Sequence, residues 1–279
     1  MKKLLLIFAA FITVVGCSKT EIITADAEVN EIGLHAINQK SVKATGPVVD
    51  TALPIGETMT IWGFYANDGT NYVLNDPYMS GVIYKYQTDA WQGWDPNATP
   101  AAHKPYYWPS TGSMKFLAVY PTAYPKEEGG TISYANASNP TITISKIDLS
   151  TFGNQKDIMY SSNLYETPVA CSNATSKQTL TFEHLLSQVV VAVKPTVTNV
   201  ITITEVSLTN VYLKGDIAVT HEGSTITYSY PNTTTPILGY PLVAALENTA
   251  ITNTDSFTQV SEKGALVIPS NNDTRKLII

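Results

Sequence analysis

Short runs of alternating apolar and polar side chains make up most of this chain, and segments rich in glycine, proline and asparagine separate them. Alternation with a period of two places successive side chains on opposite faces of a β-strand. No helical stripe longer than two turns occurs in the first half of the sequence. This pattern predicts an all-β protein, because short strands about eight to twelve residues apart are typical of β-sandwiches.

The first predicted strand, residues 31–37, places Ile32, Leu34 and Ala36 on one face. The run at 58–68 is bulky on both faces, which predicts a central strand. Residues 183–188 fit either a single helical turn or a bulge, and residues 189–193 form a buried-looking strand that ends before Pro195. Further alternating runs lie at residues 81–87, 113–121, 141–147, 156–162, 199–213, 215–223, 225–230 and 264–269.

Charge composition excludes one class of partner. Charged residues are 14% of the chain, the net charge is -6, and Arg275 is the sole arginine. A protein that binds nucleic acid neutralises phosphates with clustered lysine and arginine, and this sequence has no such cluster. Nucleic acid is therefore not a predicted partner.

The amino terminus has the pattern of an export signal. Two lysines precede an apolar run too short to span a bilayer, and the run ends in Val14, Val15, Gly16 and Cys17. This ending resembles the lipobox of bacterial lipoproteins, in which cleavage precedes the cysteine and acyl chains such as palmitate attach to it. Residues 1–16 are thus predicted to be a lipoprotein signal peptide and Cys17 the lipidation site in the outer membrane. The alternative is a plain signal peptide with a chance cysteine.

Cysteine content and length bear on the organisation of the chain. Cys171 is the only other cysteine, so a lipidated Cys17 leaves no pair for an intramolecular disulfide. Residues 17–29 are polar and acidic and read as a lipidated tether. The polar segment 171–177 is a candidate boundary, which predicts an N-terminal β-sandwich at 30–174 and a C-terminal one at 175–279.

The sequence holds no assembled catalytic or metal site. His184 follows Glu183, but adjacent strand residues point to opposite faces, so a histidine hydrogen-bonded in the core is the favoured interpretation. His35, His103 and His221 lack a partner at ligand spacing. Neither a nucleophile elbow nor a phosphate-binding loop occurs. We therefore predict no enzyme activity, cofactor or metal.

Aromatic residues cluster between positions 91 and 108. Trp91, Trp94, Tyr106, Tyr107 and Trp108 lie there among turn residues. Exposed rings could stack on sugar faces, so Trp91 and Trp94 are candidate glycan contacts. The favoured interpretation is that these rings cap the open end of the first sandwich.

Five segments, in order behind the lipobox-like ending, resemble the fimbrillin family, the pilin-like surface lipoproteins of anaerobic gut and oral bacteria. They are residues 104–121, 156–162, 180–193, 206–217 and 265–270. The resemblance implies two β-sandwich domains with Greek-key connections, the first of them transthyretin-like. It also implies a shaft, tip or anchor subunit of a cell-surface fimbria. A monomeric outer-membrane lipoprotein that binds glycans through the aromatic loop is the alternative.

Family resemblance further implies assembly by β-strand exchange. In fimbrillins a protease cuts after the first strand, which leaves, and a strand from another subunit takes its place. Here the leaving strand would be residues 31–37. The loop that follows has no arginine, so Lys40 and Lys43 are the candidate cleavage sites, and an uncut chain would be an anchor or terminal subunit.

Related chains continue past the 265–270 segment, so the ending near Arg275 implies a very short donor strand or a truncated chain.

Overall fold

The computed structural model of the 279-residue chain describes residues 30–38, 53, 55–87, 90–173, 177–194, 201–202, 206–231, 240–241, 250–251, 258–259, 265–269 and 276–278. Apart from two short 3₁₀ turns, Phe152–Asn154 and Cys171–Asn173, the regular elements of these residues are β-strands. The predicted all-β class is therefore confirmed.

A nine-stranded sheet forms the largest unit. Its hydrogen-bonded order is β1-β11-β9-β6-β2-β3-β4-β5; β10 pairs with β6, and β1 also pairs with β4, so the order closes on itself. The strands are β1 (Leu34–Asn38), β2 (Thr58–Ala66), β3 (Met79–Tyr86), β4 (Trp91–Asp95), β5 (Ala102–His103), β6 (Ser113–Tyr120), β9 (Met159–Ser162), β10 (Val169–Ala170) and β11 (Gln178–His184).

A second sheet has four strands in the order β17-β16-β8-β7. The remaining described strands form three pairs, β12-β21, β13-β20 and β14-β19, and one three-stranded sheet, β18-β15-β22. Their bounds are β7 (Ile132–Asn136), β8 (Pro140–Asp148), β12 (Ser187–Val189), β13 (Ala192–Val193), β14 (Ile201–Thr202), β15 (Ser207–Thr209), β16 (Lys214–Glu222), β17 (Thr225–Ser229), β18 (Tyr240–Pro241), β19 (Ala250–Ile251), β20 (Thr258–Gln259), β21 (Ala265–Val267) and β22 (Lys276–Ile278).

β2 is a central strand, as its two bulky faces predicted, since β3 and β6 pair with its two edges. Met59 and Ile61 face one buried cluster, which also contains Phe116 and Phe182. Trp62 and Phe64 face a second cluster, which includes residues of β8, β16 and β21. Alternation in this strand therefore serves two cores, one on each side of the large sheet.

Two details of the strand prediction were wrong. Residues 183–188 are neither a helical turn nor a bulge, because β11 ends at His184, a bend follows, and β12 begins at Ser187. The predicted single strand 189–193 is divided between β12 and β13, which pair with β21 and β20. An apolar run in the sequence predicts that its residues are buried. It does not predict where one strand ends and the next, with a different partner, begins.

Pairing between strands crosses the predicted boundary at residue 174. β16 pairs with β8 over six residue pairs, and β11 pairs with β9 and with β1. The second buried cluster likewise draws side chains from both sides of that point. The division of the chain into domains at 30–174 and 175–279 stays a prediction.

Candidate functional site

The first strand and the elements that hold it form the candidate site. β1 runs parallel to β11 with five residue pairs, from Leu34 opposite Gln178 to Asn38 opposite Phe182. On its other side Leu34 pairs with Trp91 of β4. β1 therefore closes the large sheet, joining an element far along the sequence to one nearer its start.

Apolar side chains on one face anchor this strand. Ile32 and Leu34 are fully buried and Ala36 is 5% exposed, whereas His35 and Ile37 face solvent. The predicted buried face is confirmed. The three buried residues belong to the same cluster as Tyr84 and Trp91. Burial of Ile32 and Leu34 stabilises the seated strand by roughly 3–6 kcal/mol, at about 1.5–3 kcal/mol for each side chain.

Backbone hydrogen bonds extend this attachment towards the amino terminus. The Ile32 amide donates to the Tyr106 carbonyl at 2.7 Å, and the Trp108 amide donates to the Asn30 carbonyl at 3.0 Å. The Tyr84 hydroxyl donates to the Ile32 carbonyl at 3.1 Å, and burial raises the pKa of this phenol, which keeps it protonated as a donor. Residues 30–33 are therefore held by the segment that follows β5.

A side-chain hydrogen bond lies at the same end of the strand. The Glu31 carboxylate is 2.6 Å from His103 Nε2, and the two side chains are 25% and 45% exposed. His103 was predicted to be isolated because no partner stands at ligand spacing. Its partner is 72 residues away in sequence, so spacing carried no signal for this contact.

The predicted aromatic cluster is divided between core and surface. Trp91 is 2% exposed and packs against Tyr86 and Tyr120, at ring-centre distances of 5.4 and 6.3 Å. A ring covered in this way has no free face on which a sugar could stack. In this structure Trp91 is therefore not available as a glycan contact. Trp94 is half-buried, with Lys85 Nζ 4.3 Å from its ring centre. Glycan binding through Trp94 stays a prediction.

Trp108, the last residue of that cluster, is a core residue. It is 9% exposed and makes an edge contact with Phe116 at a ring-centre distance of 5.9 Å. Its neighbour Tyr107 is 41% exposed and forms an isolated antiparallel β-bridge with Glu31. Trp108 therefore contributes to the core, and Tyr107 contributes to the attachment of the first strand.

Histidines have structural partners that the sequence did not reveal. His184 Nδ1 bonds to the Asp157 carboxylate, which is buried beside it on the neighbouring chain segment. His221 is buried and bonds through Nε2 to the Tyr160 hydroxyl. Within the described ranges, no group of three His, Cys, Asp or Glu side chains is close enough to hold a metal ion.

Several predicted site residues lie outside the described residues: Cys17, Lys40 and Lys43, together with the signal peptide and tether. Among the residues that the structure does describe, no helix is long and apolar enough to cross a bilayer.

Comparison with known proteins adds family and fold. The sequence profile of the family described as fimbrillin-like matches residues 43–279. A crystal structure of a fimbrial protein from Bacteroides vulgatus ATCC 8482 is similar, with 14% identity, a TM-score of 0.54, and coverage of 86% of this chain and 77% of that one. A candidate cell adhesion protein from Bacteroides ovatus ATCC 8483 has 14% identity and a TM-score of 0.45, covering 86% and 78% of the two chains. The comparison with curated protein sequences gives no match.

Proposed function

Because this chain belongs to the fimbrillin-like family, we propose that it is a structural or adhesive subunit of a cell-surface fimbria. The precursor is anchored in the outer membrane by acyl chains on Cys17, exposed on the cell surface, and assembles with other fimbrial subunits by β-strand exchange. The observation that carries this proposal is the position of β1. It is the first described strand, it is short, and it closes a sheet whose other strands pair with one another without it.

Departure of β1 would leave a site shaped for another strand. The backbone groups of β11 that now pair with β1 would be unpaired, and an unpaired strand edge is a template for an incoming strand. The pocket vacated by Ile32, Leu34 and Ala36 would select a strand with apolar side chains at alternate positions. Main-chain bonds supply affinity in such an exchange, and the pockets set the register.

Release of β1 requires a break in the chain after it. Residues 39–52 contain two lysines, Lys40 and Lys43, and no arginine. A cut after either lysine would separate β1 and the lipidated amino terminus covalently from the rest of the chain, so that an incoming strand could displace them. A subunit that stays uncut would keep its anchor and act at the base or end of the fibre.

Mass spectrometry of fimbriae sheared from the cell surface tests strand exchange. We expect a mature amino terminus between positions 36 and 47. Material that always begins at acylated Cys17 would exclude exchange for this subunit and leave it as an anchor.

Lipidation is tested separately with the Cys17→Ala variant. Growth with labelled palmitate should mark the natural chain and not the variant, which we expect to be unprocessed or released, since the anchor is covalent lipid. Cys171→Ala is the matched control and should keep its label, because Cys171 is buried in the fold. Label that persists in Cys17→Ala would overturn the anchoring proposal.

A further inference from the structure

A polar groove lies along the other edge of β11, on the side away from β1. Its volume is about 400 Å³, and its lining comes from β9, β10, the loop between them, β11 and Ile226 of β17. This volume falls within the range of about 300–1,000 Å³ typical of ligand sites. Hydroxyl, amide and carboxylate side chains are prominent in the lining: Ser161, Ser162, Asn163, Thr179, Thr181 and Glu183.

The groove exists because β9 and β11 pair only at one end. Glu183 is opposite Tyr160 and His184 is opposite Met159, and no further pairs follow. Continuing the same register would place Thr181 opposite Ser162. Beyond Ser162, however, the chain turns, with the Glu166 amide donating to the Asn163 carbonyl at 3.1 Å. The two strands therefore separate just where their pairing would continue.

Backbone groups of β11 point into this gap. The Gln178 amide donates to the Gly33 carbonyl, so Gln178 and every second residue after it direct their backbone groups towards β1. The backbone groups of Thr179, Thr181 and Glu183 therefore point away from β1. Glu183 pairs with β9 on that side. The Thr179 carbonyl accepts from the Gln178 side chain at 2.7 Å. The amides of Thr179 and Thr181 and the Thr181 carbonyl face the groove.

The charged side chains that line the groove are all acidic. Glu166 and Glu183 are its charged lining residues, both exposed, and no lysine, arginine or histidine is among the residues that line it. The Glu183 carboxylate also accepts from the Tyr228 hydroxyl at 2.9 Å, which holds it in place. An extended segment that carries lysine among small side chains has the complementary charge and size.

We propose that this groove binds residues 39–46 of a second copy of this chain as an added β-strand. That segment, with the sequence QKSVKATG, has two lysines, no acidic residue and otherwise small or polar side chains apart from Val42. At about 3.3 Å per residue, the four residues 178–181 offer an edge about 13 Å long, enough to pair three to four residues of the segment. β1 stays in place, so this contact is independent of strand exchange and available to an uncut chain.

The probe is a fluorescently labelled peptide of residues 39–46, titrated onto the purified mature chain with anisotropy as the readout. We expect saturable binding and slower hydrogen exchange at residues 178–182. Glu166→Gln and Glu183→Gln should each weaken binding about two- to fivefold, the range for exposed ion pairs. Glu128→Gln, a loss of the same charge elsewhere on the surface, should leave it unchanged, and a peptide with both lysines replaced by glutamate should not bind.

N-methylated peptides distinguish strand addition from charge attraction alone. Pairing with one strand edge uses the amides of alternate residues, so methylation at positions 40 and 42 and methylation at 41 and 43 should differ at least tenfold in effect. If the peptide pairs with both β9 and β11, both methylated forms should fail. Equal binding of both forms, no binding at millimolar peptide, or protection elsewhere on the chain would overturn the proposal.

Discussion

At the scale of single residues, the buried polar groups show how little sequence spacing says about partners. Tyr160 and His221 meet across 61 positions, and Asp157 and His184 across 27. Alternation places each of these side chains on a face of a strand. It does not say which other strand lies opposite, because that depends on the pairing of the whole sheet. The sequence therefore predicted a hydrogen bond for His184 without naming its partner, and it predicted His221 as an isolated residue.

Trp108→Ala should lower the free energy of unfolding by about 3–5 kcal/mol, the usual cost of removing a large buried aromatic side chain. The cause is the loss of its contact with Phe116 and of the volume that it fills in the core. Urea unfolding followed by circular dichroism measures the change. Trp94→Ala, at a half-buried position, is the control and should cost clearly less. Equal effects of the two variants would contradict the assignment of Trp108 to the core.

His221 should make the fold less stable in mild acid. Burial lowers its pKa to about 4, whereas the unfolded chain has an ordinary value near 6.5, so the unfolded state binds the proton more readily between these values. This contribution is complete above pH 6.5 and is lost as the pH falls towards 4, to an extent on the order of 3 kcal/mol. His221→Phe, which keeps a ring beside Tyr160 and Tyr165, should flatten this part of the stability profile. Urea unfolding from pH 4 to 7 tests it, and identical slopes in both proteins would count against it.

At the scale of elements, the sequence predicted most strands but few of their partners. β2 was recognised as central because both its faces are bulky, and β1 because three apolar side chains alternate. The pairing of β1 with β11 could not be predicted, since parallel neighbours are joined by long connections without a local signal. A structural role for Trp91 was the favoured prediction, but the residues that cover it could not be predicted, because Tyr86 and Tyr120 lie on other strands.

β1 should remain bound after the chain is cut behind it, and a charge on its buried face should release it. We expect that, with a specific protease site inserted after Lys43, the cleaved amino-terminal piece of the natural sequence co-elutes with the rest in gel filtration. Leu34→Asp should free the piece, because a carboxylate cannot occupy that apolar pocket without a large cost. His35→Asp adds the same charge on the exposed face and should retain it. Equal retention of the two variants would show that side-chain burial does not hold the strand.

At the scale of the whole molecule, two cores share the large sheet. One cluster lies on the β1 side of β2, and the other lies between the opposite face and the sheet of β8 and β16. The second cluster joins residues from Trp62 to Ile268. Strands on both sides of residue 174 therefore depend on each other for burial and for main-chain pairing.

A fragment that ends at residue 174 should fail to unfold cooperatively. It would lack β16, which covers β8, and β11, which joins β1 to β9. Urea titration followed by tryptophan fluorescence should give a sigmoidal transition for the full chain and a shallow, non-cooperative one for residues 30–174. A sharp transition in the fragment would instead support an independent N-terminal domain.

Closure of the sheet by β1 also has a mechanical meaning. If the chain is held at Cys17, tension between the cell and anything bound to the subunit enters the fold through the residues that precede Leu34. A pull along the strand axis loads the main-chain bonds between β1 and β11 together, in shear, and does not peel them one at a time. Resistance to such a pull is set by the rate of unfolding and not by equilibrium stability. The strand that exchange would remove is thus the same one that bears the load while the subunit is tethered.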